Sequence, residues 1–125
     1  MLNQLLVLFV VFSIVLGQTR YLDEVFDDIS ITENVIYGSA PDLPFIFLFE
    51  WNTYDIDLDM DVYEPIGDDE IKRPVIIFLH PGSFFSGSNT SGDMILLATD
   101  AAKRGYVGIS ANYRLGLNII STYSG

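Results

Sequence analysis

The sequence predicts an α/β fold built on a mostly parallel sheet, on three observations. Residues 54–63 alternate apolar and acidic side chains, Val75–Leu79 is a continuous apolar run, and a strand, loop, helix and strand follow within about 40 residues. The last arrangement is a βαβ unit, whose strands are parallel because a crossover helix returns the chain to the same end of the sheet. With 125 residues, 50% of them hydrophobic, at most one domain fits, and the composition is globular rather than disordered.

The first 17 residues carry no charged side chain, and Leu5–Leu16 is a twelve-residue apolar run broken only by Ser13. A bilayer span needs about 20 apolar residues and a signal-peptide core about 7 to 15, so the length favours a cleaved export signal and a secreted product. Val15 and Gly17 are small enough for positions −3 and −1 of a cleavage site before Gln18. The basic flank of a signal peptide is missing, which leaves an uncleaved membrane anchor as the alternative. Residues 18–44 read as a loosely structured lead-in punctuated by Gly38, Pro41 and Pro44, with one short strand at Asn34–Tyr37.

Phe45–Trp51 is apolar and aromatic, and Trp51 reads as core or pocket wall rather than a carbohydrate platform. In the segment that follows, Tyr54, Ile56, Leu58, Met60 and Val62 share one face of a half-buried strand, and Asp55, Asp57, Asp59 and Asp61 share the other. An EF-hand loop also begins D-x-D-x-D, but it needs Gly at its sixth position and Glu at its twelfth, where Met60 and Ile66 stand. The acidic row instead suits an outer strand, which it protects from pairing with other molecules. After a turn at Pro65–Glu70, the apolar run Val75–Leu79 requires cover on both faces. Thr90-Ser91-Gly92-Asp93 supplies capping chemistry for a helix over Asp93–Arg104 with Met94, Leu97, Ala98 and Ala101 as its buried stripe. Lys103 and Arg104 suit the negative end of the helix dipole, Asp93 and Asp100 read as capping and surface charges, and Gly105 occupies the left-handed stop. Tyr106–Ala111 is the second strand of the unit.

Charge excludes one class of partner. Net charge is −11, fifteen of the seventeen carboxylates lie between Asp23 and Glu70, and nucleic acid would be repelled. With no cysteine, an oxidising compartment is permitted but no disulfide is part of the design. Asn89-Thr90-Ser91 fits the N-glycosylation pattern.

The segments DVYEP at 61–65, RPVIIFLHPGSFFSGS at 73–88 and AKRGYVGISANYRLG at 102–116 resemble the opening of the α/β-hydrolase esterases and lipases. There a strand leads into HGGGF or HGGSF and Ser-Gly, a helix ends in a Gly-Tyr step, and a strand closes in NYRLG. The resemblance covers about 65 residues. It implies a partial α/β-hydrolase fold over residues 45–125, mostly parallel with antiparallel N-terminal strands. It also implies a secreted serine esterase, of which the chain is the N-terminal fragment, acting on small-molecule or polymer esters without metal or organic cofactor. The membrane is a partner only if the N-terminal segment stays uncleaved.

By the same resemblance the oxyanion-hole donors are the N–H groups of Gly82 and Ser83. Preorganised N–H groups suit ester hydrolysis because the tetrahedral intermediate carries a negative oxygen, and small residues let the backbone approach it. Pro81 has no N–H, but it stands one position before the donors. His80, Pro81, Tyr113 and Arg114 take loop-supporting roles, and Asn112 ties the strand end to neighbouring loops. His80 is the only histidine and no G-x-S-x-G occurs, so the chain holds no catalytic residue of a triad. The alternative, from another class, is a non-catalytic esterase-like binding or adhesion protein. N-terminal sequencing of the secreted product is expected to begin at Gln18, and a start at Met1 would refute cleavage.

Overall fold

The computed structural model describes residues 20–42 and 54–115. The export-signal and anchor readings of residues 1–17, and that of Phe45–Trp51, lie outside the described residues. Among those described, no helix is long and apolar enough to cross a membrane.

Among the described residues four strands, β1 (Ile29–Asp42), β2 (Tyr54–Pro65), β3 (Val75–Leu79) and β4 (Val107–Ala111), form one sheet in the order β1-β2-β4-β3, with one helix, α1 (Gly92–Lys103). β3 and β4 are parallel, whereas β2 runs antiparallel to both β1 and β4. The sheet is therefore mixed and mostly antiparallel, which corrects the expectation of a mostly parallel α/β-hydrolase sheet. Each parallel neighbour needs its own crossover, and among the described residues only α1 provides one.

β1 runs for 14 residues, not the short strand expected within a loose lead-in. Its register shifts between Thr32 and Val35 and again between Ile36 and Gly38, so bulges absorb what read as punctuation. Asn34 adopts φ 58° at the first of them and donates its N–H to the Asp61 carboxylate at 2.9 Å. Pro41 is tolerated because β1 is an edge strand. β2, expected on the outside, is interior. Moreover, its aspartate face is the one that turns inward toward the Pro65 end: Asp61 and Tyr63 are 4% and 2% exposed. Period two held, but α1 covers the odd-numbered face, where Tyr63 packs with Ala98 and Ala102, flanked by Ile29 and Phe78.

β3, expected to be covered on both faces, is an edge strand with Val75, Ile77 and Leu79 each more than half exposed. Ile76 and Phe78 are its more sheltered positions. The stripe of α1 is Met94, Ala98, Ala101 and Ala102; Leu97, expected among them, is exposed. Small side chains win because the helix lies close to the sheet. A Cβ at Gly108 would stand 2.5 Å from the Ala98 carbonyl oxygen. Ser91 is the N-cap residue, though its hydroxyl makes no cap bond. At the other end Tyr106 N–H bonds Ala101 O and Gly105 N–H bonds Ala102 O, a Schellman stop with Gly105 at φ 93°.

Asp68, in the connection after β2, fastens the N-terminal segment to the sheet. Arg20 grips both carboxylate oxygens at 3.0 and 2.6 Å, Arg73 Nε reaches one at 2.6 Å, and Glu70 N–H donates at 3.1 Å. These bonds, that of Arg20 foremost, hold the Asp68 carboxyl well below the usual carboxylate range against the opposing effect of burial. A depressed folded-state pKa stabilises above the unfolded value, near 3.9, and that contribution is lost as pH falls toward the folded one. Asp68→Asn is therefore expected to cost on the order of 2 kcal/mol at pH 7, less than a fully buried pair because both arginines are partly exposed. Urea melts at pH 7 and pH 3 check this: the gap between wild type and variant should narrow in acid, and a constant gap would refute the clamp.

Candidate functional site

The HPGSF loop begins where β3 ends, at Leu79. His80 is 4% exposed and its ring stacks on Tyr113, with centroids 4.3 Å apart and planes 14° from parallel. The Tyr113 hydroxyl donates to His80 O at 2.8 Å, so one aromatic residue holds both ring and backbone of the histidine. His80 Nδ1 lies 3.0 Å from Pro81 O. Gly87 passes so near that a Cβ there would stand 2.2 Å from that nitrogen and 2.5 Å from the Pro81 oxygen. The only histidine of the chain is thus walled in on its Nδ1 side, an arrangement that fixes a loop.

Beyond Pro81 the backbone turns sharply. Gly82, Ser83 and Phe84 have φ of 139°, 52° and 65°, three consecutive residues on the positive side. Gly82 O accepts the N–H groups of Phe85 at 2.9 Å and Ser86 at 3.3 Å. A Cβ on Gly82 would stand 1.8 Å from Ser86 O, so only glycine fits. Neither the Gly82 N–H nor the Ser83 N–H donates a hydrogen bond within the described residues. Phe84 meets the Tyr113 ring edge-on at 5.4 Å and is largely exposed.

An open cleft of about 560 Å³ lies beside this turn, lined by Leu79, His80, Phe84, Tyr113 and Arg114. The structure thus brings His80, Tyr113 and Arg114 together at one opening. Pro81, Gly82 and Ser83 belong to the adjoining turn and are not among the lining residues. Arg114 donates from Nη1 to Pro41 O at 2.9 Å.

Asn112 sits behind the loop. Its Nδ2 donates to Asp59 Oδ1 at 3.0 Å and Asn89 Oδ1 at 2.9 Å, while its Oδ1 accepts the Asn89 N–H at 2.8 Å. Ser110 Oγ donates to Asn89 O at 2.8 Å. Asn89, which opens a triplet that fits the N-glycosylation pattern, is 2% exposed and packed into this network, with its Nδ2 buried and unpartnered among the described residues. A glycan on that nitrogen is incompatible with the fold. Asp93 stands exposed in the first turn of α1, and Asp100 forms an ion pair with Arg104 at 3.0 Å.

Sequence reasoning missed Asn89, Asp59 and Ser110 as supports, and it missed the strain at Ser83 and Phe84. The Ser86-Gly87 step was visible as part of the motif, but not the contact that requires its glycine. Comparison with protein-family models and with curated proteins gives no match for this chain.

Two substitutions grade the loop's supports. Tyr113→Phe removes one hydrogen bond and should cost about 1 kcal/mol. Gly87→Ala, with a Cβ driven into the His80 ring and the Pro81 carbonyl, should cost about 2 kcal/mol or more. Equilibrium denaturation of both variants tests the order, and the reverse order would refute the close approach at Gly87.

Proposed function

We propose that residues 73–116 are the oxyanion-hole segment of a secreted serine esterase related to the α/β-hydrolase superfamily, one that hydrolyses carboxylic esters through an acyl-enzyme. The observation that carries this reading is the pair of adjacent N–H groups at Gly82 and Ser83, without acceptors among the described residues, in a turn buttressed by His80, Tyr113 and Gly87. Attack of a serine on an ester carbonyl turns the carbonyl oxygen into an oxyanion. Each fixed donor aimed at that oxygen is worth about 2.7 to 4 kcal/mol of barrier. Pro81 lacks an N–H but precedes the donors and restricts the loop's entry. The serine, the acid and the histidine base must come from outside residues 1–125, because these contain no G-x-S-x-G and only the walled-in His80.

The apolar run Leu5–Leu16 supports export, and the excess of carboxylates argues against nucleic acid as a partner. A second reading, an esterase-like binding protein, is favoured by one observation: the single histidine serves the loop and not a nucleophile.

Reading the gene past codon 125 separates the two. The esterase reading expects an open frame encoding G-x-S-x-G, then an acid, then a histidine. In that product Gly82→Ala should lower kcat about 100-fold or more with KM little changed, since the Cβ displaces a donor used only in the transition state. A frame that closes at codon 125, or continues with the elbow serine replaced, overturns the esterase in favour of the binding protein.

A further inference from the structure

The cleft beside the oxyanion turn has an uneven lining. Leu79 and Phe84, 60% and 66% exposed, give it apolar walls, the stacked rings of His80 and Tyr113 give it a floor, and among the described residues Arg114 is the one charged side chain that lines it. Arg20, Arg73, Lys103 and Arg104 each face a carboxylate, Asp68, Asp68, Glu24 and Asp100 respectively. Arg114 has no carboxylate partner among the described residues. One of its N–H donors goes to the Pro41 carbonyl, which fixes the guanidinium at the cleft and leaves the rest of the fork available. In a chain of net charge −11, a cation so placed is well suited to an anion brought in by the ligand.

Resting on the esterase reading, we infer that Arg114 selects esters that carry a carboxylate beyond an apolar or aryl body, the body lying on Leu79 and Phe84 and the carboxylate on Arg114. A monoanion fits better than a polyanion. Asp42, Asp57 and Asp59 line a second opening that shares His80 and Tyr113 with the first, and they would repel additional negative charge.

The test compares two probes matched in shape and different in charge, phenylacetate and phenylacetamide, titrated into the 125-residue chain and followed by amide chemical shifts. Phenylacetate should bind about fivefold more tightly, a value reduced from that of a buried charged hydrogen bond because Arg114 is exposed. Arg114→Gln should remove the preference, and Arg114→Lys should keep part of it. Equal affinities in wild type, or a preference untouched by Arg114→Gln, would overturn the inference. Dimethylphosphinate, a tetrahedral monoanion, separates this from the parent reading: failure to move the Gly82 and Ser83 amides would sink the oxyanion hole while leaving the Arg114 result to stand or fall alone. Should the bare sheet face make the chain associate, the same titrations on Ile77→Lys, a position outside the cleft, decide both questions.

Discussion

The Asn112 amide is the junction on which the arrangement of loop and sheet depends. It uses both Nδ2 donors and accepts at Oδ1, joining Asp59 of β2 and Asn89 of the loop before α1 to the end of β4. Its own backbone continues the pattern, with N–H donated to Asp59 O and the carbonyl accepting the Tyr37 hydroxyl of β1. An amide suits this position because it donates and accepts in one plane, which neither a carboxylate nor an apolar side chain does. The residues after it repeat the role at other places: Tyr113 holds His80, and Arg114 reaches Pro41. Three consecutive residues beyond β4 therefore set both ends of the loop that joins β3 to α1, and the end of β1. The turn that carries Gly82 and Ser83 inherits its position from them.

Among the described residues packing is one-sided, and that shapes where polar groups can go. α1 approaches β4 closely through Ala98 and Gly108, so little volume remains for large side chains on that face, and alanines and Tyr63 fill it. Asp61 is buried there, and the Asn34 N–H, released from the ladder by the bulge, donates to it. The bulge and the buried acid explain each other: without the acid the N–H would lack its partner, and without the bulge no donor would be free. On the opposite face Val75, Ile77 and Leu79 lie open, a contiguous apolar strip along an edge strand. Such a strip invites association, and the strong net negative charge opposes it over longer range.

Local chemistry was legible in the sequence, and layering was not. The runs Val75–Leu79 and Tyr106–Ala111, the helix between them and the stop at Gly105 follow from apolar runs, dipole-matched charges and one glycine, and the structure has them within a residue or two. The alternation of residues 54–63 announced a strand correctly but not which face would be covered, because that depends on where a helix 30 residues later comes to lie. Hydrophobicity alone pointed to the Met60 and Val62 side. Leu97 misled for the same reason: it is apolar at helical spacing, but the close approach of α1 to β4 favours Ala102. Gly38 and Pro41 hid a long strand because edge position and bulges, both tertiary facts, remove their usual penalty. At the site, the motif marked which residues cluster. It did not reveal Asn89, whose apparent message was a glycan, nor the backbone strain.

That strain is unevenly explained across the fold, and the unevenness points back to the turn. Of the non-glycine residues at positive φ, Asn34 belongs to a bulge and is compensated by Asp61, and Tyr21 donates its N–H to Arg104 O at the helix stop. Among the described residues Ser83 and Phe84 have no comparable compensation; the turn bonds to Gly82 O come from Phe85 and Ser86, and Phe84 gains an edge contact with Tyr113. Two adjacent residues held in the left-handed region cost on the order of 1 kcal/mol each or more. A loop needed only to connect β3 to α1 could relax at Ser83 and Phe84, which are themselves exposed. It is held by the His80–Tyr113 stack on one side and the Gly87 contact on the other, so the conformation is imposed by its supports. Supports that impose strain while leaving the Gly82 and Ser83 N–H groups without acceptors among the described residues fit the proposed role of this turn, in which a ligand oxygen supplies the acceptor.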